Sequence, residues 1–98
     1  MYRNSSFDQD LSAKLQDPEF AQGYILTLIE GEEGLPLEEA LRQTIERMGV
    51  TEFCERSKMR KQNVNELVKG KRRPKPESLD AFLKPFRLRT KVIVEKAS

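Results

Sequence analysis

Residues 51–70 read Thr51-Glu52-Phe53-Cys54-Glu55-Arg56-Ser57-Lys58-Met59-Arg60-Lys61-Gln62-Asn63-Val64-Asn65-Glu66-Leu67-Val68-Lys69-Gly70, and this stretch decides the fold. Thr51 has the side-chain oxygen of a helix cap, and Val50, Phe53 and Cys54 then point one way from a short helix. Ser57-Lys58-Met59 is the turn. A second helix from about Arg60 turns Val64, Leu67 and Val68 inward and stops at Gly70. Two short helices joined by about three residues meet the requirement of a helix-turn-helix.

Outward from this unit, the same periodicity continues. Asp17-Pro18-Glu19 is a helix start, with a capping acid, a proline at the first helical position and an acid favoured by the helix dipole. The helix is expected over 18–30, and its apolar residues cover more than one narrow stripe, so Tyr24 and Leu28 are candidates for a partner surface. Leu37, Ala40, Leu41, Thr44, Ile45 and Met48 repeat at helical spacing up to Gly49. A further helix begins at Pro76-Glu77 and carries Leu79, Phe82, Leu83 and Phe86. The end changes period: Leu88, Thr90, Val92 and Val94 alternate with Arg89, Lys91, Ile93 and Glu95, which predicts a strand over 87–95. Residues 1–13 are polar and read as a flexible arm, leaving 14–98 as one domain. The expected fold class is therefore all-α, a compact bundle of about five short helices containing the helix-turn-helix, with a short C-terminal β-strand.

Composition narrows the function classes. With no histidine and one cysteine, Cys54, the usual zinc ligand sets cannot be assembled within a chain, and no internal disulfide can form. Cys54 reads as a small apolar group packing under the second helix of the unit. The sixteen acids fall mostly at positions a helix exposes, so no catalytic residue, enzyme activity or cofactor is expected. No apolar run is long enough to span a bilayer, and the first residues lack the apolar core of a signal peptide, so a cytoplasmic protein is expected.

The formal net charge of +2 hides a polarity along the chain. Residues Asp8 to Glu39 hold nine acids and one base, a balance of −8, whereas Arg56 to Lys75 hold nine bases and one acid, +8. A basic third of this kind fits a polyanion. If Val64, Leu67 and Val68 face inward, Lys61, Gln62, Asn65, Glu66 and Lys69 share the opposite face. The first four match base edges in the major groove, with Lys to guanine, Gln and Asn to adenine and Glu to cytosine. Lys58, Arg60, Lys69, Lys71, Arg72 and Arg73 flank them and suit phosphate. A double-stranded DNA operator is the partner this pattern implies. A strand over 87–95 in a helical protein leaves unpaired backbone groups, so a homodimer through Leu88, Thr90, Val92 and Val94, with Tyr24 and Leu28, is also expected.

The stretch from Thr51-Glu52-Phe53-Cys54 through Val64, Leu67, Gly70 and Lys71 resembles the lambda-repressor-like, Xre-type helix-turn-helix. Together with Leu15-Gln16-Asp17-Pro18-Glu19-Phe20-Ala21, Tyr24, Ala40-Leu41-Arg42 and Leu83-Lys84-Pro85-Phe86-Arg87-Leu88-Arg89, it is similar to the small addiction-module antidote (antitoxin) proteins. The chain departs from that pattern at Ser57-Lys58, where the family has an apolar residue then Gly, and at Arg60, where Ser or Thr caps the second helix. The resemblance implies a dimeric antitoxin of a type II toxin-antitoxin module that represses its own operon and binds a small basic toxin protein. Two alternatives stand beside it: a stand-alone phage-type repressor without a toxin, and a protein-interaction module that neutralises a toxin without binding DNA.

Overall fold

A computed structural model of the protein describes residues 5–70, 74–91, 94 and 96, without the side chains of residues 5–9 and 76. Among these residues there are six α-helices and no strand: α1 (Ser5–Leu15), α2 (Pro18–Glu30), α3 (Leu37–Met48), α4 (Val50–Ser57), α5 (Lys61–Val68) and α6 (Pro76–Leu83), the last running into a 3-10 turn over Lys84–Phe86. Among the described residues no helix is long and apolar enough to cross a membrane.

The helix boundaries follow from local chemistry. Asp17 Oδ1 accepts the Glu19 N–H at 3.0 Å and Pro18 opens α2, while the Gly31 N–H donates to Thr27 O at the far end. Between α3 and α4 there is no loop beyond Gly49, whose φ of 111° a side chain would adopt only under strain. The α4–α5 turn also needs left-handed backbone, and there the residue is Lys58 (φ 63°) rather than glycine. Ser57 Oγ steadies this turn by accepting the Met59 N–H at 3.2 Å.

The core sits around α3, whose Ala40, Leu41, Thr44, Ile45 and Met48 are buried. The hydroxyl of Thr44 donates to Ala40 O, so its burial leaves no polar atom orphaned. Leu15, Ala21 and Ile25 close one side of α3, and Val64 and Leu67 close the side of α5. Phe53 of α4 joins the C-terminal elements to this core, with ring centroids 6.1 Å from Phe82 and 5.6 Å from Phe86.

Two expectations are corrected. From Ser5 onward, the arm expected over 1–13 is helix: Leu11 and Leu15 pack on the core, and the Ser12 hydroxyl donates to Met48 O at 2.6 Å, closing the C-terminal end of α3. This raises the helix number from about five to six. The C-terminal strand expected over 87–95 does not form among the described residues. Arg87 takes a left-handed turn, the Leu88 N–H donates to Leu83 O, and Leu88 packs on the core. The Thr90 N–H and O–H both donate to Asp80 Oδ1 at 2.7 Å. Alternation would put Leu88 and Val94 on one face, yet Leu88 is half-buried and Val94 is 92% exposed. The Leu88 and Thr90 N–H groups, which a second strand was expected to satisfy, find their partners at Leu83 and Asp80 instead. Val92, Ile93 and Glu95 lie outside the described residues.

Candidate nucleic-acid interface

The residues predicted from the sequence to read bases come together. Val64 and Leu67 are buried, and this fixes the rotation of α5 so that Lys61, Gln62, Asn65, Glu66 and Lys69 line one shallow, open concavity on its outer side. Lys61, Gln62 and Lys69 are exposed, and Asn65 and Glu66 half-buried. With eight residues α5 is about 12 Å long, comparable with the ~12 Å width of a major groove.

The charge at the start of α5 is inverted. Arg60 occupies the cap position with no side-chain capping bond, Lys61 follows it, and the first turn holds no acid. Lys58 lies two residues earlier, at the C-terminal cap of α4 where a cation is favoured, and all three bases are exposed. A helix N-terminus carries partial positive charge and free N–H groups, so cations there are unfavourable by about 0.3–1 kcal/mol each at low ionic strength. The other helices with described first turns carry acids there, Glu19 in α2, Glu38 and Glu39 in α3, Glu52 in α4 and Glu77 in α6.

Cys54 packs against the core beneath α5, where burial pushes its thiol pKa up and the nearby Lys61 charge works against that rise. A thiol held protonated is a poor nucleophile, in keeping with a packing role. Arg42 of α3, which sequence spacing does not connect to this unit, reaches its far end: a Cβ built on Gly70 would lie 3.1 Å from Arg42 Nη1. Glu39 holds the Arg42 guanidinium by an ion pair. Arg42 thus brings one more base close to Gly70, which Lys71 follows in the sequence.

The remaining predicted residues are scattered. Lys71, Arg72 and Arg73 lie outside the described residues, as does Val92. Tyr24, Leu28 and Leu88 are half-buried against the core, Thr90 is held by Asp80, and Val94 stands exposed. A second cleft of about 210 Å3 opens between α5 and α6, lined by Met59, Asn63, Glu66, Leu67, Ser78 and Phe82 among others. Among the described residues no group of His, Cys, Asp or Glu is arranged to hold a metal ion. No family model matches the chain, and neither does any curated protein or solved structure.

Proposed function

We propose that this protein is a sequence-specific regulator that binds duplex DNA through a helix-turn-helix made of α4, the 58–60 turn and α5. In this reading Lys61, Gln62, Asn65 and Glu66 meet base edges in the major groove, while Lys58, Arg60, Lys69, Lys71, Arg72 and Arg73 contact phosphates. The observation that carries it is the start of α5, where Arg60 and Lys61 stand at the positive end of a helix dipole that disfavours them, with Lys58 close by at the C-terminal cap of α4. A phosphate seated there turns that cost into attraction. The exposed amide and charged side chains just beyond it supply the donors and acceptors that base edges require.

Two elements of the reading come from the resemblance stated above: repression of its own operon as a homodimer, and membership of a toxin-antitoxin pair. A stand-alone repressor would use the same DNA surface. The discriminating experiment is titration of DNA from the protein's own promoter at several salt concentrations. If several phosphates are neutralised, affinity falls steeply with a log-log slope of about −0.9 per contact. A slope near zero, or equal affinity for unrelated duplexes at every salt, defeats the reading.

A further inference from the structure

The side of the molecule away from α5 poses a different question. Along α2 the exposed residues are Glu19, Phe20, Gly23, Leu26, Thr27 and Glu30, and at 100° per residue they form one outward stripe. Its middle is apolar: Phe20 is 40% exposed and stacks on Tyr24 with centroids 6.4 Å apart, and Leu26 is 36% exposed. Its ends are acidic, with Glu19 and Glu30 about 16 Å apart along the axis. Gly23 lies at the centre, and a Cβ built there meets nothing within 4 Å. Alanine would therefore fit and would favour the helix by about 0.8–1.0 kcal/mol, so packing among the described residues gives no reason for glycine. Close approach of another backbone does.

The charge around the stripe selects the occupant. Between Lys14 and Arg42 the chain has no base, and Asp17, Glu19, Glu30, Glu32 and Glu33 are all exposed. A second copy docked by two-fold symmetry would set this acidic border against itself. We infer that the outer face of α2 is a docking site for a basic protein segment, a helix with an apolar strip bordered by Lys and Arg that crosses α2 at Gly23. This deepens the toxin-antitoxin element of the proposed function, on which the basic chemistry of the partner rests, and it is independent of the DNA reading, since no residue is shared between the two surfaces.

The test uses the full chain and two synthetic helical peptides: one with leucines down one face and Lys and Arg along both borders, the other with Glu replacing every base. The basic peptide is expected to shift amide resonances between Glu19 and Glu30, and the acidic one to leave them unmoved. Leu26→Ser and the double variant Glu19→Lys/Glu30→Lys are each expected to weaken binding about tenfold, because rim charges set encounter and the apolar centre sets retention. Gly23→Ala is expected to weaken the peptide while raising the thermal midpoint of the chain, an opposition that loss of folding cannot produce. Duplex-DNA affinity measured on the same variants stays unchanged, which separates this inference from the DNA reading. Resonance shifts centred on Glu32–Glu39, with Gly23→Ala binding like the parent, would reduce the effect to bulk acidity and overturn the site. Self-association of the chain that Leu26→Ser abolishes would assign the face to a second copy and overturn it equally.

Discussion

The starts of α2 and α5 differ in how far each follows what a helix N-terminus favours. At α2, Asp17, Pro18 and Glu19 each do what a helix N-terminus favours, and the cap hydrogen bond is made. At α5, Arg60 and Lys61 do the reverse, and no side chain caps the helix. Yet α5 forms, because Val64 and Leu67 are buried against α3 and Phe53 anchors α4 beside it. Tertiary packing holds a helix whose local electrostatics disfavour it. The core thus supports, at the start of α5, a charge arrangement that the helix dipole itself disfavours.

One core holds both regions, and the largest predicted effect tests this. Phe53→Ala removes a fully buried ring from between Phe82 and Phe86, at an expected cost of ~3–5 kcal/mol. Small domains have ~5–15 kcal/mol in total, so the variant should be close to unfolding. Urea melts followed by amide resonances on α2 and on α5 should shift together. If only the α5 signals move, the two regions are separate units.

Next in size is the division of labour on the basic side. Gln62→Ala should cost ~1–3 kcal/mol on the preferred duplex and relax selectivity at one base pair, with non-specific binding nearly unchanged. Lys69→Ala should weaken binding to every sequence about equally and lower the salt slope by about one unit. Titration against matched and mismatched duplexes decides. The reverse pattern would mean that α5 enters the groove by its C-terminal end.

The helix starts themselves can be interchanged in character. Asp17→Ala should lower the stability of the chain by about 1 kcal/mol, the usual worth of a cap, whereas Arg60→Ser should raise it by a comparable amount. The same Arg60→Ser should weaken DNA binding at every sequence, because a phosphate partner is lost. Thermal melts and DNA titrations on the two variants check the pair. Arg60→Ser that gained stability with DNA affinity intact would detach the inverted charge from function.

What the sequence reveals follows the range of the interaction concerned. The ends of α2 and the inward face of α5 are legible because Asp17-Pro18, Gly31, Val64 and Leu67 act through neighbours a few residues away. The outward grouping of Lys61, Gln62, Asn65, Glu66 and Lys69 then follows from helical spacing alone. Helix α1 is not legible, since the described side chains that pack on the core are Leu11 and Leu15, and Ser12 finds its acceptor 36 residues away at Met48. The position of Arg42 beside Gly70 is invisible for the same reason. At the C-terminal end the alternation of Leu88, Thr90 and Val94 is real, but alternation fixes a strand only when another strand is available to pair. Here Asp80 takes the Thr90 N–H first.

That contact carries the smallest effect and a defined pH signature. Asp80 is exposed, and the Thr90 N–H, then the Thr90 hydroxyl, hold its carboxyl below the usual aspartate range, desolvation opposing them and the Arg89 charge adding a smaller pull downward. A carboxylate whose folded pKa lies below its unfolded value contributes fully above the unfolded pKa and is lost as pH falls through the folded one. With the ordinary value near about 3.9, the tie of the C-terminal segment to α6 is complete at neutral pH and weakens only below that value. The Thr90 amide resonance should therefore titrate with a midpoint under the ordinary aspartate value. Asp80→Ala should lower stability slightly at neutral pH, and the difference from the parent should shrink as the solution is acidified. DNA binding should not change, since neither residue lies on the α5 surface. A Thr90 midpoint at or above the ordinary value would mean that the segment is not held by Asp80, and the case against a C-terminal strand would lose its main physical support.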